Sequence, residues 1–363
     1  MRIAVLGVGL IGGSVGLAAR KRLGAEVAGF DPEPETLARA VEVEALDTAA
    51  GSVAEAVGGA EVIFCAAPVT ALPPLVVEAV RRSGPEAVVT DVGSTKRALI
   101  AALKEGPPQE RFIGGHPLAG AETSGVEHAR ADLFDGARWY LVPTEHSGGF
   151  HYDRLQRVVA DLGARPQAID ADSHDRLMAT VSHLPHVIAN VLVQEAAAAL
   201  AEEHERLPEV GPSFRDTTRV AGANPAIWED IYAANSDAVA DAIDAVSGRL
   251  AEASRMIRAG EGRAVGEWHR ASRDDRRRLL EAEMKGGELF ELRVAVENRP
   301  GTVADIALAL GRARVNIEDM ALYPAADMRT GAITLWVAGE AEAERAAGVI
   351  RELGHTASVL GEE

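Results

Sequence analysis

The chain has 363 residues, 47% of them hydrophobic and 25% charged, which is enough for two or three globular domains with ordinary apolar cores. Its formal net charge of −18 argues against non-specific binding to nucleic acid or to a membrane surface, because proteins that bind phosphates in this way need a basic surface. No apolar run approaches the ~20 residues that span a bilayer, no signal peptide is recognisable, and the lone Cys65 permits no internal disulfide, so we expect a cytoplasmic protein.

The first ~170 residues alternate short apolar runs with helical patterns, which is typical of a parallel sheet with crossover helices. Strands are predicted at residues 2–6, 26–30, 61–66, 87–90, 112–114 and 139–142. We therefore predict an α/β domain over residues 1–170.

The residues GVGLIGG follow the first predicted strand and place Gly7, Gly9 and Gly12 in the spacing G-x-G-x-x-G. In a dinucleotide site these glycines allow a tight turn, a close approach of the backbone to a pyrophosphate, and close packing of the next helix. Asp31 follows the second strand, where a carboxylate accepts from the adenosine ribose and favours NAD over NADP. The predicted NAD-binding residues are Gly7, Gly9, Leu10, Ile11, Gly12, Asp31, Ala67 and Pro68.

The segment GGHPLAGAETSG, residues 114–125, is too rich in glycine to predict a good helix or strand. Pro117 biases His116 towards an extended conformation, and the earlier loop TDVGSTK brings Ser94 to the end of another strand, where open α/β sheets bind ligands. Hydride removal from an alcohol requires an acceptor for the hydroxyl proton, and an imidazole suits this role. His116 is the candidate acceptor, with Ser94 holding the substrate hydroxyl or orienting the ring; a purely structural histidine is the alternative.

From residue 171 to about 285 the pattern changes to long alanine- and leucine-rich helical segments, which predicts an all-helical domain. In VSHLPHVIANVLV, Ser182, His183 and His186 open or kink a helix at Pro185, and the two histidines share a face. A third ligand for zinc is missing near this pair, so no metal site is predicted.

The later stretch FRDTTRVAGANPAIWEDIY places Arg215, Arg219 and Trp228 in an otherwise acidic chain. An anionic substrate would need such local positive charge. A salt bridge from Arg219 to a surface carboxylate is the alternative interpretation.

The final segment, residues 286–363, alternates again in the order strand, helix, strand, strand, helix, strand. This βαββαβ order predicts a ferredoxin-like unit.

The motifs GVGLIGGS, DVGSTK, GGHPLAGAETSGVEHA, SHLPH and FRDTTRVAGANPAIWEDI, in this order, resemble the prephenate dehydrogenase family over about the first 285 residues. The resemblance implies a Rossmann-like domain, a helical dimerisation domain, a homodimer, and oxidative decarboxylation of prephenate by NAD to 4-hydroxyphenylpyruvate on the route to tyrosine. By matched position, His116 accepts the hydroxyl proton, Ser94 is its hydrogen-bonding neighbour, and Arg219 binds a substrate carboxylate. The other substrate-site residues that the resemblance implies are Ser182, His186, Glu122 at the mouth of the site, and Trp228.

The stretch VAVENRPGTVADIALALGRARVNIEDM resembles an ACT domain, a ferredoxin-like module that commonly binds amino acids at a dimer interface. The resemblance implies feedback regulation, with tyrosine as the expected effector; a domain kept only for dimerisation is the alternative. The expected effector site consists of the turn Asn298, Arg299, Pro300 and Gly301 and the start of the facing strand, Asn316 and Ile317.

Three other functions compete with this interpretation. An arogenate dehydrogenase performs the same chemistry on an amino acid, and His186 favours prephenate only weakly. A nucleotide- and amino-acid-binding sensor without turnover would not need Ser94, His116 and Arg219 together. A 3-hydroxyacid dehydrogenase would use a lysine of the helical domain, and no lysine occurs between Lys104 and Lys285.

Overall fold

The computed structural model describes residues 1–103, 109–120, 123–201, 210–283, 289–297, 299, 302–325 and 330–360. Of the predicted site residues, Glu122, Asn298, Pro300 and Gly301 lie outside the described residues. The chain divides into two compact units, Met1–Leu207 with Thr217–Val246 and Pro208–Asp216 with Ser247–Glu363.

An eight-stranded sheet forms the centre of the first unit, in the order β3-β2-β1-β4-β5-β6-β7-β8. Its strands are β1 Arg2–Leu6, β2 Glu26–Phe30, β3 Thr48–Ala49, β4 Val62–Cys65, β5 Val88–Asp91, β6 Phe112–Pro117, β7 Arg138–Val142 and β8 Arg165–Ala168. Strands β1 to β6 are parallel, β7 is antiparallel to β6, and β8 is parallel to β7. The six predicted strands are confirmed, whereas β3 and β8 are additional because their exposed or half-exposed residues carry no apolar run.

The order of the first six strands in space, 3-2-1-4-5-6, is that of a dinucleotide-binding sheet. β1 and β4 are hydrogen-bonded neighbours. After β1 the chain adds strands on one side of the sheet, and after β4 it adds them on the other side. Ligands bind such sheets at the carboxyl ends of the strands, in the crevice at this switch point. This edge therefore positions the candidate site.

The prediction that residues 114–125 form neither a good helix nor a good strand was wrong for residues 114–117. β6 continues from Phe112 to Pro117 and pairs with β7, with His116 opposite Tyr140. Its glycines reflect close packing, since a Cβ on Gly115 would lie 2.4 Å from the carbonyl oxygen of Asp91. The extended conformation predicted for His116 is confirmed.

Helices of the first unit pack against this sheet, and further helices follow along the chain in the helical region. In chain order they are α1 Leu10–Ala18, α2 Pro34–Glu42, α3 Val53–Val57, α4 Leu72–Arg82, α5 Arg97–Leu103, α6 Gly149–Asp161, α7 Ala171–Met178, α8 Leu184–Ala201, α9 Pro212–Thr218, α10 Pro225–Ala234, α11 Ser236–Arg258 and α12 Gly262–Glu283. Two apolar clusters, centred on Phe64 and Trp139 in one and Ile63 and Phe112 in the other, fill the space between sheet and helices.

A π-helical turn, Ala179–His183, joins α7 to α8 without a break. The wider turn lies just before Pro185, which has no N–H to donate to the preceding turn. The continuous helix Ala171–Ala198 is long and apolar enough to cross a membrane by length and composition alone, so the expectation that no run approaches this length was wrong. Such evidence is weak by itself, because core helices of soluble proteins pass the same test.

The second unit contains a four-stranded antiparallel sheet in the order β10-β11-β9-β12. Its elements are β9 Leu289–Glu297, α13 Thr302–Arg312, β10 Asp319–Pro324, β11 Thr330–Ala338, α14 Glu340–Glu352 and β12 Thr356–Leu360. The predicted ferredoxin-like order is confirmed. One detail differs, because Asn316 and Ile317 precede β10 instead of beginning it, and the Asn316 amide donates to Glu318 at 2.7 Å.

Candidate active site

The glycine loop between β1 and α1 has the geometry of a pyrophosphate cradle. Gly7 has a φ of +93°, and a Cβ there would lie 2.5 Å from the carbonyl oxygen of Ala66. A Cβ on Gly12 would lie 2.0 Å from the carbonyl oxygen of Gly7, whereas one on Gly9 would meet nothing within 4 Å. Gly9 precedes α1, whose first N–H groups receive no side-chain cap. The open space at Gly9 and these N–H groups fit a bound diphosphate.

Asp31 lies directly after β2, beside this loop. Its Oδ2 accepts from the N–H of Val8 at 2.9 Å, and its Oδ1 accepts from the N–H of Glu33 at 3.0 Å. The carboxylate is half-exposed, so its remaining lone pairs can accept from ribose hydroxyls. Ala67 and Pro68 follow β4 at the same edge, and thus the eight predicted NAD-binding residues follow three neighbouring strands.

A buried ion pair between Asp91 and Lys96 fixes the loop after β5. Both side chains are 0% exposed, and the ammonium of Lys96 contacts Oδ2 of Asp91. Asp91 also accepts from the N–H of Gly93 at 2.8 Å and from the N–H of Gly115 at 3.1 Å. One carboxylate thus ties the loop that carries Ser94 to the strand that carries His116.

His116 lies at the carboxyl end of β6, three strands from β1. At about 4.8 Å between neighbouring strands, this is about 14 Å across the sheet from the glycine loop, so an extended dinucleotide can reach from one to the other. The residue is half-buried. His116 therefore lies at the ligand-binding edge, as predicted, and not in the apolar core.

The ring of His116 contacts a second histidine that sequence reasoning did not single out. Its Nδ1 lies 2.9 Å from Nε2 of His174, and Nδ1 of His174 lies 2.8 Å from Oδ1 of Asp175. His174 and Asp175 are fully buried. Burial lowers the pKa of His116 well below its ordinary value, and the charges of His174, Lys96 and His183 lower it further. The imidazole is therefore neutral at physiological pH and able to accept a proton.

Ser94 is half-buried in the loop after β5. Across the described residues, it makes no hydrogen bond to His116, whose Nδ1 is held by His174 instead. Of the two roles expected for Ser94, holding the substrate hydroxyl is the one left open by this arrangement.

Asn235 connects Asp175 to the second half of the site. Its Nδ2 donates to the carbonyl oxygen of Asp175 at 2.8 Å and lies 3.3 Å from Nδ1 of His183. Burial lowers the pKa of His183 to about 4; the charge of Asp175 opposes the shift, and His174 and His186 add to it. The chain of contacts from His116 thus reaches the helix turn that carries His183.

His186 and Trp228 form the aromatic part of the site. Their rings stack with centroids 3.6 Å apart, and the ring of His183 meets Trp228 edge-on at 6.0 Å, so both histidines share a face as predicted. Burial lowers the pKa of His186; a hydrogen bond with the backbone of Val220 opposes the shift, and the guanidinium of Arg219 adds to it. The hydrogen bond with Val220 brings the turn that carries Arg219 to His186. Ser182 is half-buried in the π-helical turn next to His183.

Sequence reasoning missed His174, Asp175 and Asn235. The available signal was weak: His174 precedes Met178 by four residues and so lies on the buried face of a predicted helix, where a polar residue is unusual. What these residues contact depends on chain segments 58 to 138 residues away, and no local pattern encodes it.

The geometry supports one kind of chemistry. The site combines a dinucleotide-binding edge with a neutral imidazole about 14 Å across the sheet from the phosphate loop. An arginine belongs to the same region as the stacked aromatic rings. Together these features suit oxidation of an anionic alcohol.

Comparison with known proteins gives matches along most of the chain. Residues 15–167 match the family model "Prephenate dehydrogenase, nucleotide-binding domain", and residues 170–270 match "Prephenate dehydrogenase, dimerization domain". Residues 292–358 match an "AHAS small subunit-like ACT domain". The predicted Rossmann-like, helical and ACT-like organisation is confirmed.

Curated and solved relatives agree with these matches. The prephenate dehydrogenase of Bacillus subtilis is 28% identical over 352 residues, which are 95% of this chain and 94% of that protein. The structure of prephenate dehydrogenase from A. aeolicus in complex with hydroxyphenyl propionate and NAD⁺ has a TM-score of 0.72 and 28% identity, and covers 77% of this chain and 98% of its own. Synechocystis arogenate dehydrogenase has a TM-score of 0.68 and 29% identity, and covers 76% of this chain and 99% of its own.

Proposed function

The chain belongs to the prephenate dehydrogenase family, and we propose that it oxidatively decarboxylates prephenate to 4-hydroxyphenylpyruvate with NAD⁺. The observation that carries the proposal is the neutral His116 at the carboxyl edge of the sheet, with one ring nitrogen held by His174. In the described part of the chain, no hydrogen bond engages its other nitrogen, Nε2.

The glycine loop and Asp31 hold the cofactor. The N–H groups at the start of α1 bind the diphosphate, and Asp31 accepts from the adenosine ribose, a contact that favours NAD⁺ over NADP⁺. When bound, NAD⁺ accepts the hydride from the hydroxyl-bearing carbon. The other predicted contacts are Leu10, Ile11, Ala67 and Pro68, at the same edge of the sheet.

His116 takes the proton that leaves the substrate hydroxyl, while Ser94 holds that hydroxyl in place. The oxidised ring then loses carbon dioxide and becomes aromatic, which requires little further help. The task of the protein is to orient the ring and to place one neutral base, and fixed geometry and fixed dipoles serve this purpose.

Arg219 binds a carboxylate of the substrate. Arg219 precedes Val220, whose backbone hydrogen-bonds with His186, and His186 stacks on Trp228, so this positive charge and the aromatic surface belong to one region. A planar fork of donors suits a carboxylate better than an ammonium does. Ser182 and His186 line the side-chain end of the site.

Arogenate is the second candidate substrate, because the Synechocystis arogenate dehydrogenase is as similar in sequence as the prephenate enzyme of A. aeolicus. The two substrates differ in one group, a side-chain keto group in prephenate and an amino group in arogenate. The deciding experiment follows NADH formation with prephenate and with arogenate in parallel. A kcat/KM at least as high for arogenate as for prephenate would reverse the assignment.

The role of His116 is tested by the substitution His116→Asn. We expect kcat to fall by about 10²- to 10⁴-fold, because a positioned base contributes this much, while the Kd for NAD⁺ is unchanged. In the wild type, kcat/KM should fall as the pH drops through the pKa of His116, which lies below the usual value for histidine, and the variant should lack this limb. Unaltered turnover by the variant would remove His116 from the mechanism.

We also propose how the domains divide the work. Residues 1–170 bind NAD⁺, residues 171–285 complete the substrate site and form a homodimer, and residues 286–363 bind tyrosine as a feedback effector. The exposed apolar side chains Val191, Leu192 and Val193 on α8 support a dimer, because a partner helix would remove them from water. Arg299 is exposed in the turn before α13, where the carboxylate of an amino acid would bind.

The single buried cysteine and the acidic composition suit a cytoplasmic enzyme.

A further inference from the structure

A histidine and a carboxylate extend the contact of His116 into the interior of the first unit. His174 and Asp175 are each 0% exposed and lie in α7, where Met178 is the other buried residue. Burying such groups costs free energy unless every polar atom has a partner. The partners of this pair therefore indicate what it is for.

The carboxylate of Asp175 is held by four donors. The N–H groups of Lys96 and Arg97 donate to it at 2.8 Å and 2.9 Å, His174 lies 2.8 Å away, and Nε of Arg97 lies at 3.5 Å. Burial raises the pKa of Asp175, but the hydrogen bonds from His174 and from the two N–H groups outweigh burial and hold it below its ordinary value. Asp175 is therefore ionised and can only accept hydrogen bonds.

The direction of each hydrogen bond follows from this ionised carboxylate. Nδ1 of His174 must carry a hydrogen in order to donate to Asp175. When both rings are uncharged, Nε2 of His174 has a lone pair, and Nδ1 of His116 must carry the hydrogen of the 2.9 Å contact between the rings. The lone pair of neutral His116 is thus on Nε2, the nitrogen without a hydrogen-bond partner among the described residues.

We propose that His174 and Asp175 are positioning residues that fix the tautomer of His116, so that its Nε2 receives the hydroxyl proton of the substrate. The proposal rests on the function proposed above for His116. In this step the substrate O–H bond breaks and an N–H bond forms at Nε2. The carbon that bears this oxygen loses its hydrogen as hydride and forms a C=O bond; bound NAD⁺ would supply the hydride acceptor. The hydrogen on Nδ1 stays in place, and the negative charge of Asp175 stabilises the imidazolium that forms, as in other base–orienter pairs.

Neighbouring groups hold the pair rigidly. Asn235 donates to the carbonyl oxygen of Asp175 at 2.8 Å and accepts from Arg97 at 3.0 Å. The ring of Tyr140 meets His174 edge-on with centroids 5.6 Å apart. The charged and titratable groups around the pair are thus Arg97, Tyr140, His116, Lys96 and His183.

The decisive substitution is Asp175→Asn. Oδ1 of Asp175 faces His174 and the N–H of Lys96, whereas Oδ2 faces the N–H and Nε of Arg97. The asparagine oxygen stays beside the two Arg97 donors, so its NH₂ faces His174. His174 must accept at Nδ1 and donate from Nε2, so His116 accepts at Nδ1 and carries its hydrogen on Nε2. We expect kcat to fall by about 10²- to 10⁴-fold with little change in KM. Asp172→Asn, an exposed aspartate on the same helix, is the matched control and should behave as wild type.

The tautomer itself is measured by ¹⁵N NMR of the histidine rings in the enzyme without cofactor or substrate, with His116→Asn to assign the signals. We expect hydrogen on Nδ1 of His116 in the wild type and on Nε2 in Asp175→Asn. Hydrogen on Nε2 in the wild type would overturn the proposal, as would wild-type kcat in Asp175→Asn.

A second pair of variants decides the matter if Asp175→Asn does not fold. In His174→Gln the amide oxygen can accept from His116 and the amide nitrogen can donate to Asp175, so most of the turnover should remain. In His174→Phe both contacts are lost and kcat should fall as in Asp175→Asn; equal rates in Gln and Phe variants would contradict the proposal. If the wild type oxidises neither prephenate nor arogenate, the proposed function fails, and the NMR result still decides the tautomer.

Discussion

At the scale of single residues, the site is unusual in how many polar groups it buries. His174, Asp175, His183 and Asn235 are each at most 1% exposed, and hydrogen bonds connect them to one another. His116 and His183, at the two ends of this chain of contacts, have depressed pKa values, with burial as the first cause. The protein thus keeps neutral imidazoles where a solvated ring would be protonated in mild acid.

One consequence is a stability that depends on pH. The pKa of His183 is about 4 in the folded protein, against an ordinary value of 6.5. Between these values the unfolded chain binds a proton that the folded protein excludes, so stability falls as the pH is lowered from 6.5 to 4, by up to about 3 kcal/mol. Urea unfolding of the wild type and of His183→Gln across this range should give a shallower slope for the variant.

The exposed His269 provides the control, since His269→Gln should keep the wild-type slope. Identical slopes for the wild type and His183→Gln would contradict a depressed pKa at His183.

At the scale of elements, the turn from β1 to α1 contains glycines with two different roles, close packing at Gly12 and open space for a ligand at Gly9. Gly12 is required for packing, because a Cβ there would lie 2.0 Å from a carbonyl oxygen, whereas the site at Gly9 is open. The φ of Gly9, −80°, also suits other residues. The structure therefore predicts different effects for the same substitution three residues apart.

We expect Gly12→Ala to lower the free energy of unfolding by about 1–3 kcal/mol through overpacking. Gly9→Ala should leave the stability within about 0.5 kcal/mol but weaken NAD⁺ binding, since the new methyl group occupies the path of the pyrophosphate. Urea unfolding and calorimetric titration with NAD⁺ measure the two effects. Normal NAD⁺ affinity in Gly9→Ala would argue against this loop as the phosphate site.

At the scale of the whole molecule, the enzyme of the prephenate dehydrogenase family and the ACT-like unit occur in one chain. An effector can change turnover only if it favours one arrangement of the enzyme over another. Removal of the last unit should therefore separate turnover from its regulation.

A chain that stops after residue 286 should keep its turnover of prephenate and lose inhibition by tyrosine, if tyrosine binds the ACT-like unit. Arg299→Ala in the full-length chain removes one expected contact to the effector and should weaken inhibition without affecting turnover when tyrosine is absent. Initial rates with increasing tyrosine provide the measurement. Unchanged inhibition of the shortened chain would move the tyrosine site to residues 1–286.

The sequence by itself determined the order of the elements, the glycine loop, the dinucleotide-binding edge and the presence of His116 there. These features depend on near neighbours in the chain: apolar runs, glycine spacing and a proline after the histidine. The sequence did not predict β3 and β8, because their residues form no apolar run. It also did not predict the full length of β6, because the end of this strand is rich in glycine.

Only the tertiary structure decided what surrounds His116. His174 is 58 residues away along the chain, and Asn235 joins Asp175 across 60 residues. A hydrogen bond between distant segments leaves no periodic trace in either segment, since its geometry depends on how sheet and helices pack. For the same reason, the tautomer of the proposed base can be inferred from the fold but not from the sequence.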